Sequence, residues 1–175
     1  MSLLNNIATY LLSQKESRLG VTKVTKQFFS WNKISKMILI AYDNQLSELE
    51  EFINACKTDN ISVQVAIIYG GRPEQAPHPS FEHIVLDKKK FSVFQLPTDD
   101  ALNQVNTTNY DVLINLGDSE QFQALALSKL VTAKCRIARF QNSTFEITID
   151  SDKTTKISDY LKQVIVYLNM INTTT

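Results

Sequence analysis

The segment Tyr110-Asp-Val-Leu-Ile-Asn-Leu-Gly-Asp-Ser119 decides the fold of this 175-residue chain. Its core is apolar except for Asn115, which is the pattern of a parallel strand that is covered on both faces. Gly117 would end the strand and Ser119 would cap the helix that follows. The segment therefore predicts a strand and a helix in succession, with the intervening loop where such folds bind ligands.

Similar apolar runs and helical patterns alternate along the rest of the chain. Strands are predicted over 37–42, 61–69, 81–86, 135–140 and 145–149, and helices over 45–58, 99–105, 119–130 and 157–170. The alternation predicts one Rossmann-like α/β domain of three layers, residues 35–175, with a mostly parallel sheet. Residues 1–34 are predicted to form an extension, with an amphipathic helix over 3–12 and a linker over 21–26.

The composition is that of an ordinary globular protein. Lys and Arg total 18 and so do Asp and Glu, so the net charge gives no argument for a nucleic-acid partner. The longest apolar run, 37–42, is far shorter than the roughly 20 residues that a membrane-spanning helix needs. Two distant cysteines and the lack of a secretory signal favour a reducing compartment, so we expect a cytoplasmic location.

The first candidate ligand site lies where the strand order would reverse. In a doubly wound sheet the ligand crevice lies at that point, usually between the first and fourth strands. Asp43 and Asn44 would then face Gly117, Asp118 and Ser119. Free amides in the first turn after Gly117 could bind a phosphate, but Asp118 would repel an anion and could cap the same amides.

The second candidate ligand site is Gly70-Gly71-Arg72, which follows the second predicted strand. Glycines allow a ligand to approach the backbone closely, and Arg72 could bind a carboxylate or phosphate through two parallel hydrogen bonds. An ordinary turn explains the same residues without a ligand. The loop after Tyr42 has no glycine, so the dinucleotide fingerprint is absent and no cofactor is expected.

Few other residues offer chemistry. His78 and His83 are the only histidines, and no other ligand stands nearby at a familiar zinc spacing, so no metal site is predicted. Cys56 and Cys135 are interpreted as buried small side chains, and no convergent catalytic set is found. The lysines at 88–90 are interpreted as part of a solvated loop, not as a nucleic-acid contact.

The extension carries a candidate interface, formed by Phe28, Phe29 and Trp31. Since the chain has a complete fold and no catalytic set, the leading hypothesis is a non-enzymatic domain that binds a protein partner or a second copy of itself there. The alternative is a domain that binds a nucleotide, sugar nucleotide or other small molecule at the carboxyl edge of the sheet. Peripheral membrane contact through the basic first segment is a third hypothesis.

The order of several segments resembles a known family. The basic amino-terminal helix, the strand 110–116, the segment 127–139 and the closing helix through 167–171 resemble short uncharacterised bacterial proteins, over nearly the whole chain. This resemblance implies no activity. Its recurrent residues are expected to be structural, and they are Phe94 through Pro97, Asp111, Ser128, Ala133, Lys134 and Arg139.

A fainter resemblance covers residues 110–140. This stretch is similar to the amino-terminal Rossmann-like half of heptosyltransferase-type glycosyltransferases, in which a strand, a helix and a basic turn into a strand follow one another. The resemblance implies a shared fold. Those enzymes hold the sugar nucleotide mainly on a second half that has no counterpart here, so it does not imply transferase activity.

Overall fold

The computed structural model describes residues 3–20, 26–152 and 154–171, and within them one sheet of six parallel strands. The strands are β1 Lys36–Tyr42, β2 Ser62–Ile68, β3 His83–Leu86, β4 Tyr110–Asn115, β5 Ala133–Ala138 and β6 Ile147–Thr148. Their order is β3-β2-β1-β4-β5-β6, the doubly wound arrangement. The predicted Rossmann-like α/β class is confirmed.

Five α-helices accompany the sheet in the described residues. They are α1 Leu3–Leu19, α2 Glu50–Thr58, α3 Asp99–Val105, α4 Phe122–Leu130 and α5 Ile157–Met170. One apolar cluster joins a face of the sheet to α2 and α5, and a second joins the other face to α1, α3 and α4. Residues of β1 alternate between the two clusters, with Leu39 in the first and Ile40 in the second, because side chains alternate along a strand.

Several element boundaries differ from the predictions. The helix predicted over 3–12 continues to Leu19, and the one predicted over 45–58 divides into a 3-10 turn, Asp43–Glu48, and α2. By contrast, α3 begins as predicted, because the Thr98 hydroxyl accepts the amide of Ala101 at 3.2 Å. At α3, therefore, the local capping signal located the start of the helix correctly.

The extension packs into the same core as the sheet. Ala8 and Leu12 of α1 are buried, and Trp31 contacts the ring of Phe52 edge-on at 6.0 Å between centroids. The Trp31 indole also donates to Asp59 Oδ2 at 2.7 Å, so its polar group is satisfied. The predicted linker lies outside the described residues, except for Lys26.

Asp111 fastens the amino-terminal edge of the sheet. Its Oδ2 accepts the amides of Ser35 and Lys36 at 3.0 and 3.2 Å, and its Oδ1 accepts Lys134 Nζ at 2.9 Å. Burial opposes ionisation, but these donors together outweigh it and hold the pKa of Asp111 below its usual value. The carboxylate therefore joins the first residues of three strands, which agrees with the structural role expected for Asp111 and Lys134.

Arg139 fastens the segment before α5. Its Nε donates to Ser151 Oγ at 3.0 Å, and its Nη2 donates to the carbonyls of Asp152 and Thr155 at 3.1 and 3.0 Å. The guanidinium is largely buried, so these bonds compensate the cost of removing it from water. Arg139 therefore also has a structural role, as expected for a recurrent residue.

Candidate functional site

The strand order reverses between β1 and β4, which pair in parallel from Met37 and Val112 onward. We call the loops at their carboxyl ends, residues 42–45 and 115–119, the switch point. Gln45 fills the space between them, because its Oε1 accepts the Tyr42 amide at 2.9 Å and its Nε2 donates to the Leu116 carbonyl at 3.0 Å. A side chain of the protein thus bridges the two strand ends where a ligand would be expected.

The amides after β4 are also bound by the protein itself. The Gly117 amide donates to Asn115 Oδ1 and the Asp118 amide donates to Gln121 Oε1, both at 2.7 Å. Asn115 is held in turn by a bond from its Nδ2 to Ser128 Oγ at 3.0 Å. Both donors are therefore satisfied, and neither is left for a phosphate.

The prediction that Ser119 caps α4 is wrong. The helix begins at Phe122, and exposed Ser119 lies in a turn that the Gln121 amide closes by donating to the Asp118 carbonyl at 3.0 Å. Gln121, at the N-cap position, instead accepts the Asp118 amide with its side chain. The Asp118 amide is thus bound by Gln121, which follows it in the chain. A pattern that looks for a short polar residue before the helix does not predict this bond.

The switch point is acidic. Asp43 and Asn44 are exposed beyond β1, and Asp118 is half-buried beyond β4. Burial, together with a smaller effect of the negative charge of Asp118, raises the pKa of the nearby Tyr42 hydroxyl to about 12. Of the five residues predicted here, two carry carboxylates and none carries a positive charge, so the site is unsuited to an anion.

The remaining predicted ligand residues line a different cavity. A cavity of about 420 Å³, here called the β2–β3 edge pocket, lies at the carboxyl ends of β2 and β3. It is lined by Gly70, Gly71, Arg72 and Gln75 after β2 and by Asp87, Lys88 and Lys89 after β3. The parallel pairing that ends at Ile68 and Leu86 brings these two loops together. The structure therefore divides the eight predicted residues between two places.

Three cationic side chains of the β2–β3 edge pocket have no partner among the described residues. Arg72, Lys88 and Lys89 make no side-chain hydrogen bond or ion pair with any residue in the described ranges. Asp87 is the only acidic residue of the lining, and its Oδ1 accepts the backbone amide of Lys89 at 2.9 Å. The pocket therefore has an excess of positive charge.

The two glycines of this pocket differ. A Cβ on Gly71 would lie 2.2 Å from the hydroxyl of Tyr69, which donates to the Gln75 carbonyl at 2.9 Å, so close packing requires a glycine there. A Cβ on Gly70 would meet no atom within 4 Å, and Gly70 does not have a positive φ. Neither packing nor conformation therefore requires a glycine at position 70.

Sequence reasoning missed four of the seven residues that line this pocket. The run of lysines from Lys88 predicts a solvated loop, and neither Asp87 nor Gln75 has a local signal for a ligand site. The signal that could have found them is topological, because consecutive strands of a βαβ alternation often lie side by side. The residues that follow β3 then adjoin those that follow β2, which places the lysines beside Gly70.

A larger cavity, of about 630 Å³, lies between α1 and the segment that precedes α3. Its cations are already bound, because Lys15 Nζ contacts Asp99 at 2.8 Å and the Pro97 carbonyl at 2.7 Å, and Arg18 donates to both oxygens of Asp99. These contacts, the bond from Lys15 first, hold the pKa of Asp99 below its usual value. The groove thus serves mainly to hold α1 in place.

Of the three predicted interface aromatics, only Phe28 is on the surface, with 53% of its side chain exposed. Phe29 and Trp31 are 6% and 5% exposed and belong to the core cluster, and Lys134 Nζ lies 5.4 Å from the centre of the Phe29 ring. These two rings therefore stabilise the chain's own fold and are not available to a partner. Another exposed apolar group is Val166, Tyr167 and Met170 on α5.

The histidines and cysteines do not form a reactive site. His78 and His83 lie with ring centres 6.5 Å apart, and no group of three or more potential metal ligands occurs within the described ranges. Cys56 and Cys135 are free and buried, and burial raises the pKa of each thiol to about 12. Both are therefore thiols at neutral pH, without the low pKa of a nucleophilic cysteine.

The fold and the β2–β3 edge pocket define a doubly wound α/β domain with a basic cavity at the carboxyl edge of its sheet. The chain belongs to a family of unknown function, DUF6913, whose model matches residues 7–171. The predicted resemblance to an uncharacterised family is thereby confirmed. No curated protein matches the chain. The resemblance to heptosyltransferase-type enzymes gains no support from these findings and stays a prediction.

In the part of the chain that the structure describes, no helix combines the length and the apolar character needed to cross a membrane.

Proposed function

We propose that this domain binds a small anionic molecule in the β2–β3 edge pocket. The observation that carries the proposal is the set of three cations, Arg72, Lys88 and Lys89, which line a cavity of about 420 Å³ and have no partner in the described part of the chain. That volume lies within the range of about 300–1,000 Å³ that is typical of ligand sites. The guanidinium of Arg72 suits a phosphate or carboxylate, because its donors can engage two oxygens at once.

The proposal is for binding without turnover. The lining carries no histidine, cysteine or serine that could act as a nucleophile or a general base. We also propose that the protein is located in the cytoplasm, because the free thiols Cys56 and Cys135 suit a reducing compartment.

Thermal unfolding with inorganic phosphate and pyrophosphate tests the proposal. A ligand at a hundred times its dissociation constant stabilises the folded state by about 2.7 kcal/mol, so a clear rise in Tm is expected. Arg72→Gln should weaken the affinity by at least about tenfold, since a hydrogen bond to a charged group contributes about 1.5–3 kcal/mol. The matched control is Lys33→Gln, which removes one charge from an exposed lysine outside the lining.

The two variants separate specific binding from a general effect of charge. The control should keep the full rise in Tm, and added sodium chloride should reduce that rise because salt screens the pocket charges. An equal rise in Arg72→Gln and in the wild type would overturn the proposal, and so would the absence of any rise in the wild type.

A second candidate function is self-association through α5. The amide and hydroxyl of Ser158, at its start, donate to Glu48 Oε2 near the carboxyl end of β1, so the 14-residue helix ends at the amino-terminal edge. Val166, Tyr167 and Met170 are 60%, 43% and 73% exposed on its last turns. Phe28 belongs to the same edge, three residues before the turn Trp31–Lys33 that α5 contacts.

Light scattering coupled to size exclusion tests this second candidate. A dimeric wild type that becomes monomeric in Met170→Lys would support it, provided that Val93→Lys stays dimeric. Val93 is the matched control because it is 95% exposed and lies outside α5. A monomeric wild type at high concentration would exclude self-association and leave a different protein as the partner to seek.

A further inference from the structure

We propose that the ligand of the β2–β3 edge pocket is a phosphate monoester of a small polyol, of the sugar-phosphate class. This inference rests on the proposed function, because it names the anion that the pocket would take. Three features of the lining lead to it: the size of its charge, the polar groups that are left over, and the open backbone at Gly70.

The charge of the lining matches a dianion. Arg72, Lys88 and Lys89 contribute three positive charges and Asp87 contributes one negative charge, which leaves two positive charges. A phosphate monoester carries a charge of about −1.5 to −2 at pH 7 because its second pKa is about 6. A single carboxylate or a phosphodiester, with one negative charge, would leave the pocket partly uncompensated.

The pocket also has two polar side chains, Asp87 and Gln75, that a bound phosphate would not need. Asp87 uses only Oδ1 for the Lys89 amide, and neither its Oδ2 nor the side-chain amide of Gln75 has a hydrogen-bond partner in the described part of the chain. A carboxylate oxygen beside an anion site is unfavourable toward a second phosphate but accepts hydroxyl groups well. The two side chains therefore suit the hydroxyls of a polyol attached to the phosphate.

The lining also disfavours a nucleotide. It holds no aromatic ring on which a base could stack, and nucleobase sites commonly use such rings. The volume of about 420 Å³ lies at the lower end of the range for ligand pockets, which suits a compact molecule. A sugar phosphate meets both conditions.

Gly70 is where the phosphate would reach the backbone. Because a Cβ there would meet no protein atom within 4 Å and the φ of Gly70 is not positive, the fold does not require a glycine at this position. A methyl group at this position would instead project into the open space beside the pocket that Gly70 lines. Gly70→Ala is therefore expected to leave stability nearly unchanged and to weaken the binding of any phosphate.

Calorimetric titration of the full chain tests the inference with three probes: inorganic phosphate, ribose 5-phosphate and adenosine monophosphate. Ribose 5-phosphate should bind at least tenfold more tightly than inorganic phosphate, because hydroxyl contacts add to those of the phosphate. Adenosine monophosphate should gain nothing over ribose 5-phosphate. Asp87→Asn, which retains a side chain able to cap residues 88–90, should reduce the tenfold preference without abolishing phosphate binding.

The outcomes distinguish this inference from the proposed function. Equal affinity for phosphate and ribose 5-phosphate, or a preference that Asp87→Asn leaves intact, would overturn the inference while Arg72-dependent phosphate binding upheld the function. No binding of phosphate would overturn both. Tighter binding to phosphatidylglycerol vesicles than to ribose 5-phosphate would also overturn the inference, since that lipid presents a phosphodiester.

Discussion

The switch point and the β2–β3 edge pocket lie on the same edge of one sheet, yet they differ in what occupies them. At the switch point, Gln45, Asn115 and Gln121 bind the groups that a ligand would use. At the β2–β3 edge pocket, the cations have no partner within the described ranges and Gly70 faces open space. The strand order predicts a ligand site at the switch point, but neighbouring side chains already bind the backbone groups there.

The comparison teaches that strand order locates a crevice without determining its use. A backbone amide is available to a ligand only if no neighbouring side chain accepts from it, and amide side chains such as Asn115 and Gln121 are effective acceptors. The charge follows the same division, because Asp43 and Asp118 lie at the switch point and the unpaired lysines lie at the pocket. Both differences can be tested separately.

The largest expected effect on stability comes from replacing the glycine of the switch point, and the matched variant replaces a glycine of the β2–β3 edge pocket. In Gly117→Ala the new Cβ would lie 2.8 Å from Ala124 Cβ and 3.0 Å from both Asn115 Oδ1 and Gln121 Oε1. Since the region is buried, this crowding should lower the free energy of unfolding by about 3 kcal/mol, measured by urea denaturation. Gly70→Ala should change the free energy of unfolding by less than about 0.5 kcal/mol, as is usual for surface substitutions that create no crowding.

The comparison between the two places would be wrong if Gly70→Ala destabilised the protein more than Gly117→Ala. A stable Gly117→Ala would mean that the turn between β4 and α4 can relax, so that the switch point is less tightly filled than the distances indicate. A destabilised Gly70→Ala would mean that the fold requires this glycine, which removes its argument for a ligand.

Asn115 should show the next largest effect. In Asn115→Ala the Gly117 amide loses its acceptor and Ser128 Oγ loses a donor, both in a buried setting. Leaving such a group unsatisfied costs about 1–3 kcal/mol, so we expect a loss of about 2.5 kcal/mol in urea denaturation. Ser128→Ala, which removes the acceptor of Asn115 Nδ2 but keeps the acceptor of the Gly117 amide, is the control for that bond. A loss below 1 kcal/mol in the alanine variant would show that water replaces the side chain.

The sequence predicted the layers and most strands, because apolar runs such as 37–42 and 110–116 reflect burial on two faces. It also predicted α3, whose Thr98 cap acts three residues away. The filled switch point could not be predicted, since Gln45 binds Leu116 from 71 residues away and only the fold brings them together. The cationic pocket depended likewise on the pairing of β2 with β3.

The amino-terminal edge extends the comparison to a carboxylate that the protein itself neutralises. Asp111→Asn should lower the free energy of unfolding by about 2 kcal/mol at pH 7, because the charged bonds from Ser35, Lys36 and Lys134 weaken. The folded-state pKa of Asp111 is lowered, so its contribution is present above the unfolded value of about 3.9 and is lost as the pH falls through the folded value. Urea denaturation at pH 7 and pH 3 should therefore show the gap between the two proteins shrinking. A gap that stays constant with pH would contradict a role for the charge.

The smallest effect separates occupancy from charge as the reason that the switch point binds no anion. Gln121→Ala frees the Asp118 amide, at a cost of about 1 kcal/mol in the free energy of unfolding. Combined with Arg72→Gln, which weakens the β2–β3 edge pocket, the double variant should show no recovery of stabilisation by phosphate in thermal unfolding. The carboxylates of Asp43 and Asp118 still repel an anion when one amide is free. Recovery of the phosphate effect would assign the difference between the two places to the bound amides alone.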